Sequence, residues 1–172
     1  MADQVTFDLN EIKEFVGRLQ RAAGGDFRKE IASFLEALGD EFLRLVEDEI
    51  IRRNVMDTRL LLTSFHKGAG ENVWVLNEGG LALEVGTNVD YASYVNDGHW
   101  TCPKGVSMRF VPGSFDGGGF TYDPSAKTGM VLRQRWVEGA HFWESAVRIM
   151  EKMMPDLMEA KVQQWLNSYF GG

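Results

Sequence analysis

The chain has 172 residues, a mass of 19.4 kDa, and 44% hydrophobic and 25% charged residues. That is enough chain to bury a core without staples, and the composition excludes a disordered polymer. One cysteine, Cys102, excludes an internal disulfide and a four-cysteine zinc site. A net charge of −7 and a pI near 5.0 disfavour tight binding to phosphate backbones. Apolar runs stop far short of the ~20 residues of a membrane helix. Met-Ala-Asp-Gln at the N-terminus lacks the basic and apolar regions of a signal peptide, so the expectation is a soluble chain made in the cytoplasm.

Val5–Leu9 alternates apolar and polar residues, which predicts a short strand. Asn10 is placed to cap a helix through Arg21, with Ile12, Phe15, Val16 and Leu19 on one face, and Ala23-Gly24-Gly25 ends it. Asp26 then caps a long helix, Phe27–Arg53. Its apolar residues, among them Phe34, Leu38, Phe42, Leu45 and Ile50, recur in steps of three and four. The acids between them (Glu30, Glu36, Asp40, Glu41, Glu47, Asp48) are read as a solvated face. Asp57-Thr58 can cap a short helix, Arg59–Ser64. Strands are predicted near Ser64–Lys67, Val73–Asn77 and Leu81–Val85, with Glu78-Gly79-Gly80 as a hairpin turn. An antiparallel meander packed on the long helix accommodates them.

Residues 101–134 hold six glycines and three prolines, which predicts a long inserted loop with short strands at Met108–Val111 and Gly119–Tyr122. Its aromatic residues Phe110, Phe115, Phe120 and Tyr122 need apolar cover. Two destinations are open: the loop folds back on its own domain, or it reaches a neighbouring subunit as an arm. Lys104, Arg109, Lys127, Arg133 and Arg135 contrast with the acidic long helix and would suit a negative neighbour. A last helical stretch runs from Ala140 to Tyr169, where Pro155 is expected to kink or split it. The fold class expected is α+β: a long N-terminal and a C-terminal helix packed on a small antiparallel sheet. One domain, 1–172, would carry the insertion 101–134.

Chemistry is hard to find by motif. His99 and Cys102 match no strong zinc spacing, and an ordinary histidine in a turn is the simpler reading. Gly117-Gly118-Gly119 lacks the Lys-Ser/Thr of a phosphate loop and reads as a flexible tip. Asp48-Glu49 sits on a helix with no sign of the burial that shifts a carboxyl pKa. Met150, Met153, Met154 and Met158 read as helical core.

One stretch is specific. Glu84-Val85-Gly86-Thr87-Asn88-Val89-Asp90-Tyr91-Ala92-Ser93-Tyr94-Val95-Asn96-Asp97-Gly98-His99 resembles the central signature of the tailed-phage tail-completion family. That pattern is a strand followed by Val-Gly-Thr-x-x-x-Tyr-Ala-x-Tyr-Val-x-x-Gly. Upstream, Asp57-Thr58-Arg59-Leu60 and Ser64 resemble the family's Asp-Thr-Gly-x-Leu-x-x-Ser, with Arg59 where glycine is usual. Downstream, Trp136–Phe142 resembles the branch found in Gram-positive prophages and tail-like particles. The resemblance spans about residues 26–170, apart from 101–134. Read physically, Gly86 and Gly98 allow backbone conformations closed to other residues. Tyr91, Tyr94 and Val95 would form a short helical turn whose aromatic face packs on the sheet.

The resemblance implies a structural virion protein of the neck or tail end. It would form a ring, a hexamer by the family's habit, that completes the tail and joins it to the head connector or caps a tail-like particle. Its partners would be copies of itself, the tail tube or terminator, and head-connector proteins. DNA would at most pass through the lumen, with no membrane contact and no cofactor, metal or catalytic residue. Its place would be the virion or the tail-like particle, after assembly in the host cytoplasm. A tail terminator ring and a particle-associated hydrolase are the alternatives. Contact candidates are Phe110, Phe115, Phe120, Tyr122, Arg109 and Arg133. Gly86, Thr87, Tyr91, Ala92, Tyr94, Val95 and Gly98 are structural signature positions.

Overall fold

A computed structural model of the chain describes residues 10–21, 27–55, 59–77, 79 and 81–170. The expected strand Val5–Leu9, the helix stop at Ala23-Gly24-Gly25, the caps Asp26, Asp57 and Thr58, and turn residues Glu78 and Gly80 lie outside the described residues. The elements in order are α1 (Asn10–Arg21), α2 (Phe27–Arg52), α3 (Leu60–Thr63), β1 (Asn72–Asn77), β2 (Ala82–Thr87), α4 (Ala92–Asp97), β3 (Gly98–Trp100), β4 (Met108–Asp116), β5 (Gly119–Tyr122), β6 (Gly129–Arg133), β7 (Trp136–Glu138) and α5 (Phe142–Phe170). The fold is α+β, with helices towards both ends and small antiparallel sheets between them. The chain divides into two compact units, residues 1–89 with 143–172, and residues 90–142.

In the first unit, α2 is the long helix that the spacing predicts, but its buried row differs. Gly39, Leu43, Val46, Glu49 and Ile50 are buried, whereas Phe34, Leu38, Phe42 and Leu45 are only half-buried. The apolar stripe is wider than one contact line, and its centre falls where α2 meets both the hairpin and α5. Gly39 marks the hairpin contact: a Cβ there would lie 2.5 Å from Leu83 Cδ2 and 2.9 Å from the Trp74 ring. A glycine costs helix stability, and here close packing offsets that cost. On the α5 side, the Phe42 and Trp143 rings meet edge to face at 4.9 Å, and Ala146 and Met150 are buried. The acids of α2 are mostly paired and not simply solvated. Glu30 meets Lys161 at 3.4 Å, Glu36 and Asp40 meet Lys67 at 3.8 and 3.9 Å, and Glu47 meets His66 at 3.3 Å.

The sheet of this unit has two strands, with β1 antiparallel to β2 from Asn72↔Thr87 to Asn77↔Ala82. The expected strand at Ser64–Lys67 is absent. Residues there fold into tight turns, with His66 N donating to Thr63 O at 3.1 Å and Ala69 N to His66 O at 3.0 Å. Two anchors explain this. Phe65 enters the core, and buried Ser64 joins a polar network. In that network Thr87 Oγ1 donates to Ser64 Oγ at 2.7 Å, Ser64 Oγ to Leu61 O at 2.7 Å, and Asn72 Nδ2 to Ser64 O at 3.1 Å. Val89 N closes it on Thr87 Oγ1 at 3.1 Å. A buried hydroxyl without partners would be costly, so satisfied pairs of this kind hold one arrangement. The network ties the two signature stretches, 57–64 and 85–89, to one another.

Helix α5 begins at Phe142 because His141 sits at φ +52, outside the helical region. It continues through Pro155 to Phe170 as one element, so the expected split does not occur. α1 is present with Val16 and Leu19 exposed, and the Arg18 guanidinium donates to the Phe170 carbonyl at 3.3 Å.

The second unit contains α4, two short paired strands and a three-stranded sheet. β3 pairs with β7 through Gly98↔Glu138, His99↔Val137 and Trp100↔Trp136. The region 101–134, expected as a loop with two short strands, forms most of the sheet β5-β4-β6. β4 runs to Asp116, longer than expected, and β6 was not anticipated. Both surprises have one cause. Two glycines act as floors for aromatic rings of neighbouring strands: a Cβ on Gly129 would lie 2.7 Å from the Phe110 ring, and one on Gly113 2.6 Å from the Phe120 ring. Such glycine–aromatic pairs pin strand register, so these glycines are sheet residues and not breakers.

Candidate functional site

The signature positions divide by role. Gly98 has φ +86 and no room for a side chain, because a Cβ would lie 2.5 Å from Val137 O. Gly86 has an ordinary extended backbone in β2, and its nearest neighbour, Val73 Cβ, would be 3.9 Å away. The expectation that Gly86 adopts a conformation closed to other residues is therefore wrong; a pleated strand requires none. Thr87 works through its hydroxyl, as described. Tyr91-Ala92-Ser93-Tyr94-Val95 does form a helical turn, α4, but the tyrosines do not lie under a sheet. Tyr94 is 58% exposed and its ring meets that of His99 edge to face, ring centres 5.7 Å apart, while Asn96 is the buried residue of α4. Ala92 and Val95 are half-buried.

The contact candidates fall into three groups. Phe115, Phe120 and Tyr122 share one side of the β4–β5 hairpin, since Phe115 pairs with Phe120 and Gly113 with Tyr122. Phe115 is 66% exposed, near the Gly117-Gly118 turn, and its ring lies 5.1 Å from that of half-buried Phe120. The supposed flexible tip is thus a hairpin turn with Gly117 at φ +59 and Gly118 at φ +111. Phe110 and Arg133 share a face of β4–β6 with Met108 and Val131 through the pairs Phe110↔Val131 and Met108↔Arg133. Phe110, Met108 and Val131 are all exposed.

Arg109 alternates to the other side of β4. It lines an open hollow of about 650 Å³ together with Tyr94, Trp100, Lys104 and Trp136. The hollow was not expected as a site. Trp100 and Trp136 face each other across β3–β7 with ring centres 5.5 Å apart, and Trp100 is 56% exposed. The signal in the sequence was two tryptophans beside the glycine-rich stretch. Only strand pairing brings them together. Beneath them the frame is firm: Thr101 Oγ1 donates to Arg133 O at 2.6 Å and accepts from Arg135 N at 3.0 Å. Cys102 is buried and its thiol donates to Leu132 O at 3.4 Å, a packing role.

Charge is unevenly divided. The second unit carries five basic and five acidic residues, so the whole excess of seven negative charges belongs to the first. Glu49 is the most perturbed acid. It is 5% exposed, and Arg52 holds it through two hydrogen bonds of 2.8 and 2.5 Å while Arg53 adds one of 3.1 Å. The Arg52 bonds outweigh burial and lower its pKa to about 2, with Ser145 contributing. The expectation of no buried, shifted carboxyl in the Asp48-Glu49 pair is corrected by this residue. Its partners are Arg52 on its own helix, Arg53 just beyond it and Ser145 of α5, a structural clamp. Among the described residues no cluster of three or more histidines, cysteines or acids could hold a metal ion. Among them also, no helix is long and apolar enough to cross a membrane.

Residues 13–98 match the family described as "Bacteriophage HK97-gp10, putative tail-component", and the chain belongs to that family. It is 44% identical over 155 residues to the phage-like element PBSX protein XkdI of Bacillus subtilis (strain 168), covering 90% of this chain and 95% of that one. It is 46% identical over 165 residues to the uncharacterized protein YqbI of the same strain, covering 94% of this chain and 99% of that one. No solved structure matches. The family match ends at Gly98, but the two relatives extend the likeness across the second unit, since such coverage leaves no room for its omission. Resemblance to the Gram-positive prophage branch accords with both relatives.

Proposed function

We propose that the protein is a structural virion protein of the neck or tail end. It forms a ring, six copies on the family's pattern, that completes the tail and joins it to the head connector or caps a tail-like particle. The whole chain acts as one domain, with 101–134 as its insertion. The observation that carries this reading is the exposed aromatic hairpin. Phe115 and Tyr122 stand out from a sheet whose own glycine–aromatic pairs are already filled, so these rings have no further work inside the unit. Exposed apolar rings on a rigid strand pair are contact surface awaiting a partner. Phe120 supports Phe115 from behind, and Phe110 and Arg133 form a second contact face on β4–β6.

On this reading the protein is not an enzyme and takes no cofactor. Its partners are its own copies, the tail tube or terminator, and connector proteins, while DNA at most traverses the lumen. Excess negative charge is suited to a conduit past which DNA must slide. The protein would be made in the host cytoplasm and end in the particle. A tail terminator ring is the alternative.

Light scattering on the size-exclusion eluate, with negative-stain imaging, tests the reading. Rings of uniform diameter support it. A chain that stays monomeric at all concentrations and fails to enter particles overturns it. Phe115→Ala with Tyr122→Ala should cut particle incorporation while leaving the far-ultraviolet circular dichroism unchanged.

A further inference from the structure

The acids of α2, the natural candidates for a negative docking face, are largely spent on Lys161, Lys67, His66, Arg44 and Arg52 of their own unit. Unspent negative charge lies elsewhere. Along α5, Glu151, Pro155, Met158, Val162 and Leu166 follow in steps of four, three, four and four, which places them on one face of a helix. All five are exposed, and Glu159 flanks them. Glu151 and Glu159 make no ion pair with a described residue. The face is an apolar row edged by the carboxylates of Glu151 and Glu159 and by the exposed cations Arg148 and Lys152, an alternation that can set register. Met158 and Val162 also wall an apolar hollow of about 220 Å³ with Phe27, Ile31 and Phe34, so the row borders further uncovered apolar surface.

The aromatic hollow of the second unit differs in charge. Its rings, Tyr94, Trp100 and Trp136, offer apolar area, and its charged members are the exposed cations Lys104 and Arg109, with no carboxylate in the lining. We propose that the outer face of α5 in one copy docks into the Tyr94–Trp100–Trp136 hollow of a second copy, with Glu151 and Glu159 meeting Lys104 and Arg109. The apolar row of a helix laid in an aromatic groove supplies area, and the charges set register. The two surfaces come from different parts of the chain, so the contact is head-to-tail, the kind that closes rings. The proposal rests on the ring reading above and specifies which surfaces of two copies meet.

Charge reversal tests it on the full chain. K104E with R109E on one side, or E151K with E159K on the other, should each weaken self-association at least about tenfold, read by analytical ultracentrifugation at low salt. All four positions are exposed, and circular dichroism checks that each variant is folded. Mixed, the two reversed proteins should co-assemble, because α5 of each then meets the opposite charge in the hollow of the other; the stricter variant carries all four changes in one chain. That variant should recover assembly. An oligomeric wild type indifferent to either reversal overturns this contact and leaves the ring reading standing. Loss in both pairs without recovery in the fourfold variant also overturns it, since the charges then meet other partners. A wild type that never self-associates overturns the ring reading and this contact together.

Discussion

Gly98 and Gly139 touch through their backbones. A Cβ on Gly98 would lie 2.8 Å from the Gly139 nitrogen, and one on Gly139 would lie 2.6 Å from the Gly98 nitrogen. The contact brings the end of α4 against the strand β7, where Ala140 N donates to Val95 O at 2.8 Å and His141 N to Asn96 O at 2.9 Å. Neither glycine can be replaced without parting these bonds, and Gly98 also needs its positive φ. Gly98→Ala and Gly139→Ala should each cost more than about 2 kcal/mol. Gly86→Ala, with its ordinary backbone and open surroundings, should stay within about 1 kcal/mol. Thermal unfolding with hydrogen exchange across 90–142 checks this, and equal effects at Gly86 and Gly98 would refute it.

Arg59 sits at φ +63, the left-handed conformation, at the start of α3. No side chain caps the helix there. The family resemblance puts glycine at this place, and the backbone shows why. A left-handed non-glycine residue costs roughly 1–2 kcal/mol, part of which is returned because glycine loosens the unfolded chain. Arg59→Gly should therefore raise stability by about 0.5–1 kcal/mol. A lowered urea midpoint would count against this account.

The core row of α2 makes a comparative prediction. Leu43→Ala should cost about 2–5 kcal/mol, as a fully buried leucine does. Leu38→Ala should cost distinctly less in the isolated chain, because Leu38 is only half-buried. Parallel urea denaturation of the two variants decides the order, and a larger loss at Leu38 would place the core on the other side of the helix.

Much of the fold was legible because it is periodic. α2, α5 and the β1–β2 hairpin follow from repeats of three to four, or two, that local sterics enforce. The family signature pointed to the frame, with Gly98 read correctly and Gly86 not, since a glycine in sequence looks the same in a turn and in a strand. The sheet at 108–133 was poorly legible for a related reason. Gly113 and Gly129 look like breakers until Phe120 and Phe110 are seen lying over them. The aromatic hollow could not be read at all, because Trp100 and Trp136 meet only through strand pairing. Nor was Glu49 legible as a buried acid, because Arg52 and Arg53 follow it within four residues and imitate surface charge.

Glu49 gives the chain a pH dependence. Its pKa falls from an ordinary 4.5 to about 2 on folding, so its clamp contributes fully above pH 4.5 and is lost as pH falls towards 2. The contribution is roughly 2–3 kcal/mol, allowing for the solvated outer side of Arg52. Glu47 runs the other way: burial raises its pKa, so its charge costs some stability that protonation relieves. Glu49→Gln should lower stability at pH 7 and flatten the fall between pH 4.5 and 2.5. Urea midpoints across that range check it, and an unchanged slope in the variant would show that other carboxyls drive acid unfolding.

The central claim is that this chain is built into one end of a phage tail or tail-like particle. Immunogold labelling of purified particles with antibody to the chain tests it most directly. The account predicts label confined to the head-proximal end, one cluster per particle. Label spread along the tail or seated at the distal tip, or intact particles without the chain, would contradict it.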